Sequence, residues 1–236
     1  MKNLCVASTS SINIRAPLAR FLTPDMYDLY HAILSNRYPK MVIQLDTREE
    51  WEALDYARLE QWIRFQLTSD DAEMVKAGLA NVVFWGNYQS GYVYHRMDRF
   101  LNSVTTEQLK AFMKLIRDGH YTLRGIKDCL LPEFSNMSFV SKLLMFLEPS
   151  RFVTLDLQLA KLVELPGPNV LSHLTVYTTA IPITDHNSAV YTLWCDHCRD
   201  WAAKFPPCLG MRAADVERGI FSLVQAAQIG SALAFL

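Results

Sequence analysis

Apolar residues recur at helical spacing along most of this chain, and that period restricts it to a mainly helical architecture. Leu109, Phe112, Met113 and Ile116 form one stripe. Val190, Leu193, Trp194, His197, Cys198, Trp201 and Phe205 form a longer one, and Val216, Ile220, Leu223, Val224 and Ala227 form another. Each stripe gives a helix one face that a neighbouring element must cover, which is how a multi-helix core is built. Start signals agree. Thr23-Pro24-Asp25 sets a capping hydroxyl ahead of a proline at the first helical position. Thr47-Arg48-Glu49-Glu50 has the spacing of a capping box and predicts a helix carrying Trp51, Leu54, Leu59, Trp62 and Ile63. Strand signals are confined to Lys40–Leu45 and Leu174–Ile183, short β-branched runs near prolines. Pro166-Gly167-Pro168 and Pro206-Pro207 break the helical pattern. The expectation is an all-α fold of about ten helices with at most a few short strands, two-lobed, in one unit over 1–236.

Composition narrows the function. Half of the 236 residues are hydrophobic and 20% are charged, which excludes a disordered chain. A formal net charge of −1 excludes a histone-like basic protein. No apolar run is long enough for a membrane helix and the first residues do not read as a signal peptide, so no membrane partner and a cytoplasmic location are expected. The five cysteines have no framework spacing, which suits free buried thiols in a reducing compartment. The charge is unevenly spread. Residues 90–161 hold ten Lys/Arg against seven Asp/Glu, while each flank has an acidic excess of two. That middle third is either ordinary solvated helix faces or a phosphate-facing surface.

Three segments carry candidate chemistry. Trp194-Cys195-Asp196-His197-Cys198 has CxxC spacing, but it lies inside a helical stripe, so packing is favoured over zinc or redox chemistry. Phe84-Trp85-Gly86-Asn87-Tyr88-Gln89-Ser90-Gly91-Tyr92 is an aromatic turn between two helices, with Gly86 and Gly91 expected to relieve steric limits at the bends. Its rings either fill the core or line a pocket for a flat ring, with Trp85, Tyr88, Tyr92 and His95 as the candidates. The third segment starts with a helix ending near Leu131-Pro132. A turn and a new helix from about Ser138 follow, with Ser135, Asn136 and Ser138 able to cap it. A helix N-terminus offers unpaired N–H groups and partial positive charge to a phosphate. After it, Arg151–Leu155 reads as extended and Asp156 sits at the start of the next helix. Asp156 is either a simple N-cap or a functional carboxylate.

The order helix, turn, helix, extended segment, Asp resembles that of the helix-hairpin-helix DNA glycosylases. Met137–Lys142 is similar to the start of their second hairpin helix, and Phe152–Asp156 to their catalytic loop. Met211–Phe221 is similar to a tail of bacterial proteins with the 8-oxoguanine-glycosylase-like fold. The resemblance is strongest over 120–165, and the hairpin with its catalytic segment occupies about 123–164. It implies a DNA-backbone grip by Ser135, Asn136, Met137 and Ser138, with Asp156 stabilising positive charge on the sugar or activating water. Two departures from the family pattern stand out. There is no glycine between 126 and 166, so Asn136 is expected to supply the left-handed backbone that glycine usually gives. The family's lysine position falls on Phe139, and Lys142 lies about one turn further on, near the same face.

The resemblance therefore implies a monomeric enzyme, without metal or cofactor, that takes a flipped base from double-stranded DNA and cleaves its N-glycosidic bond. Lys142 is the candidate for an added lyase step. A non-catalytic helix-hairpin-helix DNA-binding module and a helical protein-interaction domain are the alternative readings. Repair and defence against modified phage DNA fit the sequence equally well.

Overall fold

The computed structural model describes residues 22–119, 121–164 and 169–226, together with Ala232 and Phe235. The chain is mostly helical, as the apolar period requires. Helix α1 spans Pro24–Leu34, and the Thr23 side chain accepts from Met26 N at its start. A two-stranded antiparallel sheet follows, β1 Met41–Ile43 against β2 Glu50–Glu52, in the register Met41↔Glu52. Helices α2 (Tyr56–Leu67), α3 (Ala72–Asn87), α4 (Val93–Ser103) and α5 (Thr106–Arg117) come next. A short α6 (Leu123–Asp128) leads into α7 (Met137–Leu147). An extended stretch then meets a 3-10 helix at Leu159–Glu164. The chain closes with α8 (Asp185–Lys204), a 3-10 turn at Pro207–Leu209 and α9 (Ala213–Gln225).

Several expectations are corrected. Thr47–Glu50 does not open a helix: Thr47–Glu49 lies in the β1–β2 connection, with Arg48 at φ 58°, and Glu50 is the first residue of β2. Pairing of Val42 with Trp51 takes the backbone that a helix would need, and α2 starts instead at Asp55, whose carboxylate accepts from Arg58 N at 2.8 Å. Leu174–Ile183 forms only an isolated bridge, Tyr177 with Ala180. Pro166-Gly167-Pro168 and Cys5 lie outside the described residues.

The core is one apolar cluster centred on α7, where every residue from Phe139 to Leu147 is buried. Helix α7 packs on α2, α3 and α6, while α9 packs between α1 and α8. The α9–α1 crossing is close because Gly219 has no side chain. A Cβ there would come within 2.8 Å of both Ile33 Cγ1 and Leu29 Cδ1.

A buried ion cluster ties the same region together. Glu60 of α2 accepts from Arg212 and Arg218, and Asp215 accepts from Arg212 Nη2 at 2.7 Å and Arg218 Nη1 at 2.9 Å. The Arg218 guanidinium also lies 4.3 Å from the Tyr56 ring centroid. Burying these charges is tolerated because each has an opposite partner.

Gly219→Ala should therefore destabilise the fold by about 1–3 kcal/mol, despite the better helix propensity of alanine. Urea unfolding should show a lower midpoint with an unchanged slope.

Candidate functional site

The site is built where α7 meets the extended segment after it. Ser141 is fully buried, and its hydroxyl accepts from Leu155 N at 3.0 Å. Tyr191 Oη donates to Val153 O at 2.8 Å and Trp194 Nε1 donates to Thr154 O at 3.0 Å. Those bonds satisfy a stretch of backbone that lies in no helix or sheet, and they fix its direction. Asp156 follows immediately. Its Oδ1 accepts from Gln158 N at 3.0 Å and from Leu159 N at 3.3 Å, so it caps the next helical turn. Its Oδ2 faces α7 and accepts from Lys142 Nζ at 3.2 Å.

Asp156 and Lys142 are thus brought together, Asp156 at the start of the next helical turn and Lys142 on α7. Lys142 Nζ also donates to Ser138 O at 3.2 Å and lies 5.7 Å from the Phe139 ring centroid. The Lys142 side chain is 7% exposed and that of Asp156 20%, so the pair sits at the margin of the core. Gly86 of α3 makes room for it. A Cβ at Gly86 would come within 2.9 Å of Phe139 Cε1 and 3.1 Å of Lys142 Cδ. The glycine is therefore needed inside a helix rather than at a bend, and Gly91 has open space where its Cβ would be.

Lys142 and Asp156 line a cavity of about 30 Å³ together with Tyr38, Trp85, Phe221 and Glu217. Tyr38 lies edge-on to Trp85 at 4.8 Å and to Phe221 at 6.0 Å. Its hydroxyl donates to Trp85 O at 3.0 Å. Burial and then the Asp156 charge push the Tyr38 phenol upward, so it stays protonated. Tyr56 Oη in turn contacts Tyr38 O at 2.5 Å, and Asn36 Nδ2 donates to Arg218 O at 3.2 Å. The segment before β1 is therefore strapped across the cavity.

Glu217 was not singled out by the sequence, because a glutamate in an amphipathic helix reads as a solvated residue. Here it is only 3% exposed. Burial pushes its carboxyl from 4.5 up to about 7; the Thr154 hydroxyl and the Arg218 and Lys142 charges pull the other way. The neighbouring Arg218 fixes its helix face through the Glu60 cluster. A signal existed in Arg212, Asp215 and Arg218, which are spaced to share one face with an acidic partner elsewhere.

The other expected site residues fall differently. Of the aromatic turn, only Trp85 lines the cavity. Tyr88 Oη donates to Glu50 Oε2 at 3.1 Å, Tyr92 is 70% exposed and His95 is exposed. None of these three lines the cavity, since all follow the end of α3 at Asn87.

The hairpin turn also differs from expectation. Asn136 is extended, at φ −125°, and caps α7 by accepting from Ser138 N at 3.1 Å. The left-handed residues are Leu130 (φ 55°) and Glu133 (φ 70°). Glu133 is held there by Arg96 Nε at 2.7 Å and by Arg99 Nε at 2.5 Å. Met137 is fully buried and its N–H donates to Ile181 O at 3.0 Å. Ser135 is exposed, and Asn136 and Ser138 are half-buried. Two of the N–H groups expected to meet a phosphate, those of Met137 and Ser138, thus have partners within the chain. Much of the middle-third positive charge is also paired internally: Arg96 and Arg99 with Glu133, Arg117 with Asp70, Arg124 with Asp185 and Arg151 with Glu148.

Cys195 and Cys198 are buried in α8, and burial pushes the Cys195 thiol to about 11 and the Cys198 thiol well up. Thiolate chemistry is disfavoured at such a site. Among the described residues no three His, Cys, Asp or Glu side chains are grouped to hold a metal ion, and no helix is long and apolar enough to cross a membrane.

No protein-family model, curated protein or solved structure matches this chain.

The raised Glu217 carboxyl has a consequence for stability. Below pH 4.5 the folded and unfolded chains both hold this proton. Between 4.5 and about 7 only the folded chain holds it, so stability falls as pH rises through that window. Glu217→Gln removes this dependence. The variant should gain roughly 3 kcal/mol on the wild type between pH 4 and pH 8, measured by urea unfolding at each pH.

Proposed function

We propose that this protein is a DNA glycosylase that releases a damaged or modified base, with Asp156 as the carboxylate at the anomeric carbon. The observation that carries the reading is the Lys142–Asp156 contact of 3.2 Å at the wall of an aromatic-lined cavity. Cleaving an N-glycosidic bond builds positive charge on the deoxyribose. A fixed carboxylate next to an apolar wall stabilises that charge and orients the attacking water. Asp156 suits the role because its Oδ1 is anchored by two backbone N–H groups while Oδ2 accepts from Lys142, and both residues line the cavity.

Lys142 supports a second step. Transfer of a proton from its ammonium to Asp156 leaves an amine that attacks C1′; the C1′–N bond breaks and the base leaves with the proton from Asp156. The new C1′ ammonium passes a proton to O4′ as the C1′–O4′ bond opens to the Schiff base, and β-elimination then breaks the strand. The cavity of about 30 Å³ holds water rather than a base, so admission requires the strap carrying Asn36 and Tyr38 to move outward. Flipping a base costs a few kcal/mol, and stacking on Trp85, Tyr38 and Phe221 offsets it. With so many cations already paired, few phosphates are neutralised, so backbone affinity and its salt dependence are both moderate.

Asp156→Asn keeps an oxygen for Gln158 N and Leu159 N, so the fold should persist while base release falls at least about a hundredfold. Release at the wild-type rate by the folded variant would remove Asp156 from the chemistry. Borohydride should trap a covalent protein–DNA adduct with the wild type and not with Lys142→Gln. If the wild type releases base without any adduct, the enzyme has no lyase step.

A further inference from the structure

Glu217 is the one carboxyl in the cavity that the glycosylase chemistry leaves without a task. It lines the cavity from α9 together with Trp85, Lys142 and Asp156, and Phe221 sits one turn further along the same helix. A base stacked among Tyr38, Trp85 and Phe221 would present an edge to whichever polar group closes the cavity. Asp156 and Lys142 are committed to the sugar, Arg218 is held by Glu60 and Asp215, Asn36 and Tyr56 bond the strap and Arg218 O, and the Thr154 hydroxyl bonds Glu217 itself, which leaves the Glu217 carboxyl for the base.

Resting on the glycosylase reading above, we propose that Glu217 reads the hydrogen-bonding edge of the flipped base and selects one with a ring-nitrogen acceptor beside an exocyclic amine. A neutral carboxyl offers an O–H donor and a C=O acceptor side by side. That pattern complements the Watson–Crick edge of cytosine or adenine, whether or not the base is modified elsewhere. An ionised carboxyl only accepts. It complements instead the two adjacent donors, ring N–H and exocyclic amine, on the edge of guanine. The wrong edge leaves a buried donor or acceptor without a partner, which is where such sites get their discrimination.

The protonation state is set by the groups around Glu217. Lys142 faces it from α7, and Thr154 and Asp156 face it from the extended segment. Arg218 is its neighbour on α9, Tyr191 and Cys198 face it from α8, and Tyr56 from α2. Burial outweighs the lowering influences of Thr154, Arg218 and Lys142, and places the carboxyl near the middle of the physiological range. The selected edge therefore depends on pH.

The test uses the full chain and duplexes with one unpaired target nucleotide, cytosine, adenine, guanine or thymine, each fluorinated at the 2′ carbon so that it is bound but not cleaved. At pH 6 the wild type should bind the cytosine and adenine duplexes about tenfold more tightly than the guanine duplex. At pH 8.5 that preference should shrink or reverse. Glu217→Gln keeps a donor beside an acceptor and should hold the pH 6 preference at both pH values, whereas Glu217→Ala should show none at either. Circular dichroism checks that each variant is folded.

If the wild type binds the unpaired-base duplexes but its preference is the same at both pH values, or is unchanged in folded Glu217→Gln and Glu217→Ala, Glu217 does not read the base and the glycosylase reading survives. If the wild type binds none of these duplexes more tightly than a fully paired one, both readings fall together.

Discussion

A lysine and an aspartate at the edge of an apolar core are tolerated only if each is satisfied from more than one direction. Lys142 divides its donors between Asp156 Oδ2 and Ser138 O, and Asp156 divides its oxygens between Lys142 and the backbone of the next turn. Pairing offsets the cost of partly desolvating each of these two charges. Much of the surrounding structure keeps the two segments in register. Ser141 fixes Leu155, Tyr191 and Trp194 fix the two residues before it, and Gly86 lets α3 approach without displacing the lysine stem.

The opposite wall of the cavity depends on a different set of charges. Glu60, Arg212, Asp215 and Arg218 fix α9 against α2, and this places Glu217 in the cavity. Two ionic clusters of different character therefore meet at one small space. One is fully paired and structural, the other is at the solvent margin. Between them stand aromatic walls and a carboxyl that burial keeps near its proton-binding midpoint.

Much of the helical fold was legible in the sequence, because helical period and capping act locally. The stripe over 190–205 and the Thr23 cap became α8 and α1. Thr47–Glu50 misled because a capping box and a hairpin turn use the same polar residues, and only strand pairing decides between them. The order α6, turn, α7, extended segment and Asp156 was readable, whereas the ion pair of Lys142 with Asp156 was not, because it depends on how the extended segment folds back on α7. The turn itself was not. Its left-handed residues are Leu130 and Glu133, and Glu133 is held there by arginines more than thirty residues earlier in the chain. Glu217 escaped for the same reason: its burial is set by contacts with α2, α7 and α8 rather than by its neighbours in sequence.

The central claim is that this cavity breaks an N-glycosidic bond. The most direct measurement is mass spectrometry of free bases after the protein is incubated with genomic DNAs carrying unmodified, oxidised and enzymatically modified bases. The account predicts that at least one free base appears, matched one for one by abasic sites in the DNA. Salt-sensitive DNA binding with no free base from any of these DNAs, across the pH range in which Glu217 changes charge, would contradict it.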